Sequence, residues 1–334
     1  MKEKPRKIRI ALPSRGRLSQ SSLELLENVG FRVHNPNPRQ YIASIPRLPE
    51  LEVIFQRASD IGVSVRDGSV DFGITGKDVY MERCGDNGAV LELHSQLGFG
   101  QCTLSVIAPE NWDDIKSVDD LGKLHAKLNR PLKIATKFPN LTRTFFTAKG
   151  QLDIEMILAE GTLEIAPTIG YADIVVDLVS TGTTLRDNRL KTLDGGIILR
   201  SQACLIANKD KLKSSQKTLE VATKLLELVT AYLRASDNLA VFANIRGESP
   251  EAIAKKIFTQ QVIGGLQGPT ISPIITRKGE CWYAAHLIIQ KAALHQAIQE
   301  LRNIGGSGVV VAPVSYIFEE EPAEIKRMLE ALED

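Results

Sequence analysis

Ala172-Asp173-Ile174-Val175-Val176-Asp177-Leu178-Val179-Ser180-Thr181-Gly182-Thr183-Thr184-Leu185 reads as a strand from Ala172 to Val179, a hydroxyl-rich loop and a helix beginning near Leu185. The same order recurs upstream. Ile8 to Leu12 is a short strand and Pro13 to Arg17 a turn. Leu18 to Val29 spaces its apolar residues as an amphipathic helix does, opened by Ser19 or Ser21. Leu51 to Gln56 is a strand, Ile61 to Asp67 a short helix and Asp71 to Ile74 a buried strand. The rhythm predicts an α/β fold: a parallel sheet with helices on its faces.

Further strands are expected at 104–108, 132–136, 154–158 and 195–208. Helices are expected at 142–149, at 163–171 despite Pro167, and as one long element at 211–235, with a polar, partly helical stretch at 111–131. The pattern then changes to strand 239–245, helix 249–259, strands 270–276 and 281–289, helix 291–303 and strand 308–318. That βαββαβ order is ferredoxin-like, and a terminal helix at 322–332 follows it. Arg234-Ala235-Ser236-Asp237 is a polar joint. At about 100 residues per domain, residues 1–104 with 196–236 form one lobe, 105–195 a second lobe inserted into it, and 237–334 the ferredoxin-like domain.

The 334 residues suffice for several cores, and 43% hydrophobic with 24% charged residues is ordinary for a globular chain. Lys and Arg total 41 against 40 Asp and Glu, a net charge of +1, which draws the chain to neither nucleic acid nor an anionic membrane. No apolar run reaches the ~20 residues of a membrane span, and the basic start lacks a signal-peptide core. Four cysteines without a C-x-x-C pair predict reduced thiols and a cytoplasmic location. The five histidines have no metal spacing, and the acids Asp113, Asp114, Asp119 and Asp120 read as a solvated face. No Walker, G-x-S-x-G or G-x-G-x-x-G motif occurs.

The loop after Val179 gathers four hydroxyls, from Ser180, Thr181, Thr183 and Thr184, around Gly182 at a helix start. Such a nest accepts a phosphate, while Asp173 and Asp177, which repel one, suit ribose hydroxyls or Mg²⁺. The residues alone leave a second reading open: a Ser/Thr-rich cap closing an ordinary βα turn. Pro13-Ser14-Arg15-Gly16-Arg17-Leu18-Ser19 is either a second polyphosphate site, with forked guanidinium groups, or a solvated basic turn. Arg57 and Thr75-Gly76-Lys77-Asp78 follow strands in the same way, and ligands of open α/β sheets gather at that end.

Ala11-Leu12-Pro13-Ser14-Arg15-Gly16-Arg17-Leu18, Asp71 to Gly76, Leu97-Gly98-Phe99-Gly100-Gln101-Cys102, Ile134 to Thr142 and the 173–185 stretch together resemble ATP phosphoribosyltransferase, the first enzyme of histidine biosynthesis. The match runs nearly the whole chain in order, and 239–318 resembles the regulatory domain of the long form. The resemblance implies a two-lobed, periplasmic-binding-protein-like catalytic core with its site in the cleft. It implies ATP and phosphoribosyl pyrophosphate as substrates, Mg²⁺, a hexamer in equilibrium with dimers, and feedback inhibition by histidine. By it, Asp177 and Ser180 to Leu185 hold phosphoribosyl pyrophosphate by its 5-phosphate. Asp173 and Asp177 meet the ribose. Ser14, Arg15, Gly16, Arg17, Arg57, Thr75 and Gly76 meet ATP, and Arg15, Arg57, Asp173 and Asp177 are the catalytic set. Lys137 and Glu164 line the cleft. Glu248, Leu266, Gly268 and Thr270, with Gly308 on the opposing edge, form the histidine pocket within the 265–270 region. The stretch 110–131 is longer than the family pattern, and the acidic tail from Glu319 to Asp334 has no counterpart role. A competing class is a two-lobed solute-binding protein that does no chemistry.

Overall fold

A computed structural model describes residues 6–37, 39–85, 88–150, 152–159, 161–266, 268–277 and 280–333. The first residues of the basic start, Gln267 and Asp334 lie outside them. The elements run β1 (Ile8–Pro13), α1 (Ser19–Asn28), β2 (Ile42–Ser44), β3 (Leu51–Gln56), α2 (Ala58–Arg66), β4 (Phe72–Gly76), α3 (Lys77–Arg83) and β5 (Val90–His94). Next come β6 (Cys102–Pro109), α4 (Leu121–Leu128), β7 (Leu132–Thr136), α5 (Pro139–Lys149), β8 (Ile154–Leu158), β9 (Ile174–Val179), α6 (Thr183–Asp187) and β10 (Leu190–Ser201). The remainder is β11 (Ala203–Asn208), α7 (Lys209–Ser214), α8 (Gln216–Ser236), β12 (Asn238–Arg246), α9 (Pro250–Phe258), β13 (Thr270–Ile274), β14 (Trp282–Gln290), α10 (Leu294–Asn303), β15 (Gly306–Pro313) and α11 (Ala323–Glu333).

Two compact units emerge: Met1–Thr223 with Glu324–Asp334, and Lys224–Ala323. The first unit holds two sheets, with strand orders β2-β3-β1-β4-β11-β5 and β10-β6-β9-β7-β8. This is the two-lobed α/β arrangement expected. Both sheets are mixed, not purely parallel. β1 pairs in parallel with β3 and β4, and β7 with β8 and β9, because helices connect them. β11 is antiparallel to β4 and β5, because it returns directly from the other sheet with only Gln202 after β10.

The second sheet shows why its strands are continuous apolar runs. Leu104, Val106, Ile134, Ile174 and Val176 fill one face with Phe146, while Ile107, Ala135 and Val175 fill the other against Leu163, Ala166 and Leu185. A strand buried on both faces leaves no polar side to alternate with. Truncating a core side chain such as Phe146 to alanine costs roughly 3–5 kcal/mol.

The second unit is a four-stranded sheet, β13-β14-β12-β15, antiparallel throughout, with α9 and α10 against one face. The ferredoxin-like expectation holds. Ser249 caps α9 by accepting the Ala252 amide at 3.2 Å.

Two local expectations are corrected and a third is refined. Residues 163–171 form only a 3-10 turn at Leu163–Ile165, since Pro167 has no N–H to return to Leu163. The helix expected at 211–235 breaks into α7 and α8 at Ser215, which turns extended and caps α8 by accepting the Thr218 amide at 3.2 Å. α1 begins at Ser19 as expected, but no serine side chain caps it; Leu18 precedes it in helical conformation, and the Ser22 hydroxyl donates back to the Leu18 carbonyl at 2.6 Å.

Candidate active site

The C-terminal ends of the parallel strands present loops to two cavities in the first unit. The first cavity, about 610 Å³, is lined from both lobes: Arg15, Gly16, Arg17, Leu18, Gly76, Asp78, Glu82 and Arg83 from one side, Lys137, Phe138, Leu158 and Leu178 from the other. The second, about 830 Å³, is lined by Ser180, Thr181, Gly182, Leu185, Arg186, Lys191, Arg200, Ser201 and Gln202 with Cys102 and Thr103. Successive strand residues point to opposite faces, so Leu178 borders one cavity and Val179 the other.

Gly182 has φ +71°, a left-handed conformation that suits glycine, and opens α6. α6 is a single turn, Thr183–Asp187, so little helix dipole reaches the loop. Positive charge comes instead from Arg186, Lys191 and Arg200 around the same cavity. The Arg186 guanidinium donates to the Thr183 hydroxyl at 3.4 Å, and the Thr181 and Thr183 hydroxyls bond each other at 3.1 Å. Thr183 and Thr184 are exposed just outside the wall.

Asp177 stands at the base of this loop. Its carboxylate lies 3.6 Å from the Lys137 ammonium and accepts the Leu178 amide at 2.8 Å. Burial and the nearby Glu164 push its carboxyl above the ordinary carboxylate range, against the opposing pull of Lys137.

Two expected residues leave the site. Asp173 precedes β9 at the strand end opposite the loop, roughly 13 Å from Asp177 at about 3.3 Å per residue. Its carboxylate takes both Arg130 guanidinium nitrogens at 2.7 Å and the Lys133 amide at 2.8 Å. Burial raises its carboxyl, but those donors outweigh it and hold it below the ordinary range. Asp173 is a structural ion pair, not a ribose contact. Thr75 is 0% exposed and donates its hydroxyl to the Ala58 carbonyl at 3.0 Å. It lines neither cavity, whereas Gly76 borders the first. Ser14 and Arg57 are exposed at the ends of β1 and β3, next to lining residues Arg15 and Ala58 but outside the wall.

Sequence reading missed Glu82, Arg186, Lys191, Arg200 and Ser201 here. Glu82 of α3 reaches the other lobe, where its carboxylate accepts the Asn140 and Leu141 amides at 3.0 Å each and so caps α5. Arg17 donates to the Gly100 carbonyl and sits 3.3 Å from the Asp78 carboxylate, which Ser201 also contacts. The basic run after the loop, Arg186 to Lys191, was the one available hint.

The predicted inhibitor residues lie in the second unit. Leu266 and Gly268 precede β13, which begins at Thr270, and Glu248 is exposed after β12. Gly308 is on β15. β13 and β15 are the two outer strands, three spacings or roughly 14 Å apart at about 4.8 Å per strand. One histidine cannot touch Thr270 and Gly308 of the same chain.

Among the described residues no cluster of three or more His, Cys, Asp or Glu could hold a metal ion, and no helix is long and apolar enough to cross a membrane.

Residues 57–230 match the family described as ATP phosphoribosyltransferase, and residues 235–316 match the one described as HisG, C-terminal domain. The Arabidopsis thaliana protein named ATP phosphoribosyltransferase 2, chloroplastic, is 41% identical over 332 residues, covering 97% of this chain and 80% of its own. The Gemmatimonas aurantiaca ATP phosphoribosyltransferase is 35% identical over 312 residues, covering 92% and 98%. A solved ATP phosphoribosyl transferase (HisG:HisZ) complex from Thermotoga maritima superposes with TM-score 0.53 at 23% identity, over 67% of this chain and 98% of that one, which shows a shared fold. Two domain matches in order, and relatives aligned over nearly the whole length, place this chain in the ATP phosphoribosyltransferase family, in the long form that carries its own C-terminal domain, the transferases of the first step of histidine biosynthesis.

Proposed function

We propose that this transferase joins N1 of the ATP adenine to C1 of phosphoribosyl pyrophosphate. The N1 lone pair forms the new N–C bond as the C1–O bond breaks with inversion, and pyrophosphate leaves with the electron pair. The observation that carries this reading is the pair of cavities at the end of β9, one bordered by Leu178 and the other by Val179. The hydroxyl-rich, basic one suits a sugar 5-phosphate on Ser180 to Thr184. The other combines Arg15 and Arg17 for polyphosphate with Leu18, Val79, Phe138, Leu158 and Leu178, apolar surface for a purine. Asp177 meets the ribose hydroxyls with Lys137 beside it, and Arg57 reaches the departing pyrophosphate from the rim. Adenine N1 is a neutral nucleophile and needs no strong base, so positioning and charge neutralisation carry the rate.

Mg²⁺ fits as part of the substrate. Asp177 is a single carboxylate already paired with Lys137, and the described residues offer no cluster of three or more His, Cys, Asp or Glu to cage a metal. Mg²⁺ commonly arrives on phosphate oxygens with few protein ligands. The free thiols Cys84, Cys102, Cys204 and Cys281 agree with a reducing compartment such as the cytoplasm.

Histidine is proposed to bind the second unit at Glu248, Leu266, Gly268 and Thr270, with Gly308 supplied by a second copy of the chain. The separation of the two outer strands supports this division. Inhibition and homo-oligomer formation are then one equilibrium, because a ligand shifts states only by its differential affinity. With its own C-terminal domain, the chain would need no separate regulatory subunit.

The test is an absorbance assay with ATP, phosphoribosyl pyrophosphate and Mg²⁺, with and without histidine. Turnover that histidine suppresses is expected. Folded protein without turnover would overturn the reading, and turnover indifferent to histidine would remove the regulatory part alone.

A further inference from the structure

The lobes are joined by two crossings: residues 95–101 between β5 and β6, and Gln202 between β10 and β11. Arg17 touches the first crossing through the Gly100 carbonyl. Its guanidinium also meets Asp78 at 3.3 Å. Asp78 is 2% exposed, and the hydroxyl of Ser201, adjoining the second crossing, donates to its carboxylate. The same hydroxyl accepts the Asp78 amide at 3.0 Å. Burial pushes the neighbouring Cys102 thiol up, while Arg17 and Ser201 pull the other way. Arg17 and Asp78 line the first cavity and Ser201 the second.

A buried carboxylate needs donors to offset its desolvation, and a long guanidinium side chain needs an acceptor to hold one rotamer. This triad supplies both, and does so where the lobes join. We propose that Asp78 and Ser201 are positioning residues: they fix the Arg17 guanidinium for the nucleotide polyphosphate and tie it to both crossings. Occupation of one cavity is thereby communicated to the wall of the other. The proposal rests on the reading of Arg17 as a ligand residue.

The experiment is a pair of double-mutant cycles, Asp78→Asn with Arg17→Lys and Ser201→Ala with Arg17→Lys, reading kcat, KM for each substrate and the thermal midpoint. Each of D78N and S201A should lower kcat/KM for ATP about tenfold or more, the scale of a hydrogen bond to a charged group. In the R17K background most of that loss should vanish, since both residues act through one guanidinium. An equal loss in both backgrounds would make Asp78 and Ser201 merely structural and overturn the proposal, with Arg17 intact as a ligand residue. Full activity in R17K alone would instead remove the reading of Arg17, and the proposal with it. If D78N does not fold, the S201A cycle decides by itself, and wild-type kinetics in S201A overturn the proposal.

Discussion

A side chain at Gly182 would meet no atom within 4 Å, so its replacement strains only the left-handed backbone, by about 1–2 kcal/mol. Gly182→Val and Thr181→Ala should raise KM for phosphoribosyl pyrophosphate strongly, the first with a backbone strain of at least that size; unchanged kinetics in both would remove the loop assignment. Asp177 has a pH signature. Its folded carboxyl titrates above the ordinary 3.8, so its stabilising contribution is full below 3.8 and is lost as pH rises through the raised value. The acid limb of kcat/KM should lie above the usual carboxylate range and disappear in Asp177→Asn. A limb unmoved by that change would exclude Asp177 from substrate binding. Asp173→Asn has the opposite profile: a thermal midpoint a few degrees lower and an unaltered KM for either substrate. The loop was legible because its residues are consecutive. Asp173 misled because strand alternation reports a face and not an end. The pairing of Asp78 with Ser201 was illegible, the two being 123 positions apart in the chain.

At the scale of elements, α3 escaped sequence reading because its acids are buried. Asp78 and Glu82 face inward where a helix pattern calls for apolar residues, and each is satisfied by a partner from a distant segment. Periodicity cannot anticipate a carboxylate that spends its charge on another helix. Glu82 holds the first turn of α5 from across the lobes, so Glu82→Ala should cost about 1–3 kcal/mol. Calorimetry would show it, and an unchanged midpoint would mean that solvent caps α5 equally well. β1, β7 and β9 were read correctly because strands buried on both faces are unmistakably apolar. Ser215 and Pro167 broke expected helices through backbone chemistry that a hydrophobic pattern does not weigh.

For the whole molecule, the order of strands and helices was enough to predict both α/β lobes and the ferredoxin-like unit, since strand and helix alternate along most of each. Sheet direction at the edges was not, because β11 arrives from the other lobe. The open face of the four-stranded sheet carries Phe242, stacked on His286 with centroids 4.4 Å apart, and its register partner, the exposed Val310. If self-association uses this face, Phe242→Glu should reduce the particle mass seen by light scattering and blunt histidine inhibition; an unchanged mass would place the contact elsewhere. The lobe crossings have one more consequence. The Leu97 amide donates to the Ala203 carbonyl and the Ala203 amide to the Phe99 carbonyl, both at 2.9 Å, so the two connecting segments are stitched together before any ligand arrives. A loose tether would surrender its conformational freedom when the lobes close, at ~1–2 kcal/mol of entropy for each residue fixed. Here that freedom is already gone, and substrate affinity can go into orienting the reacting atoms instead of ordering a linker.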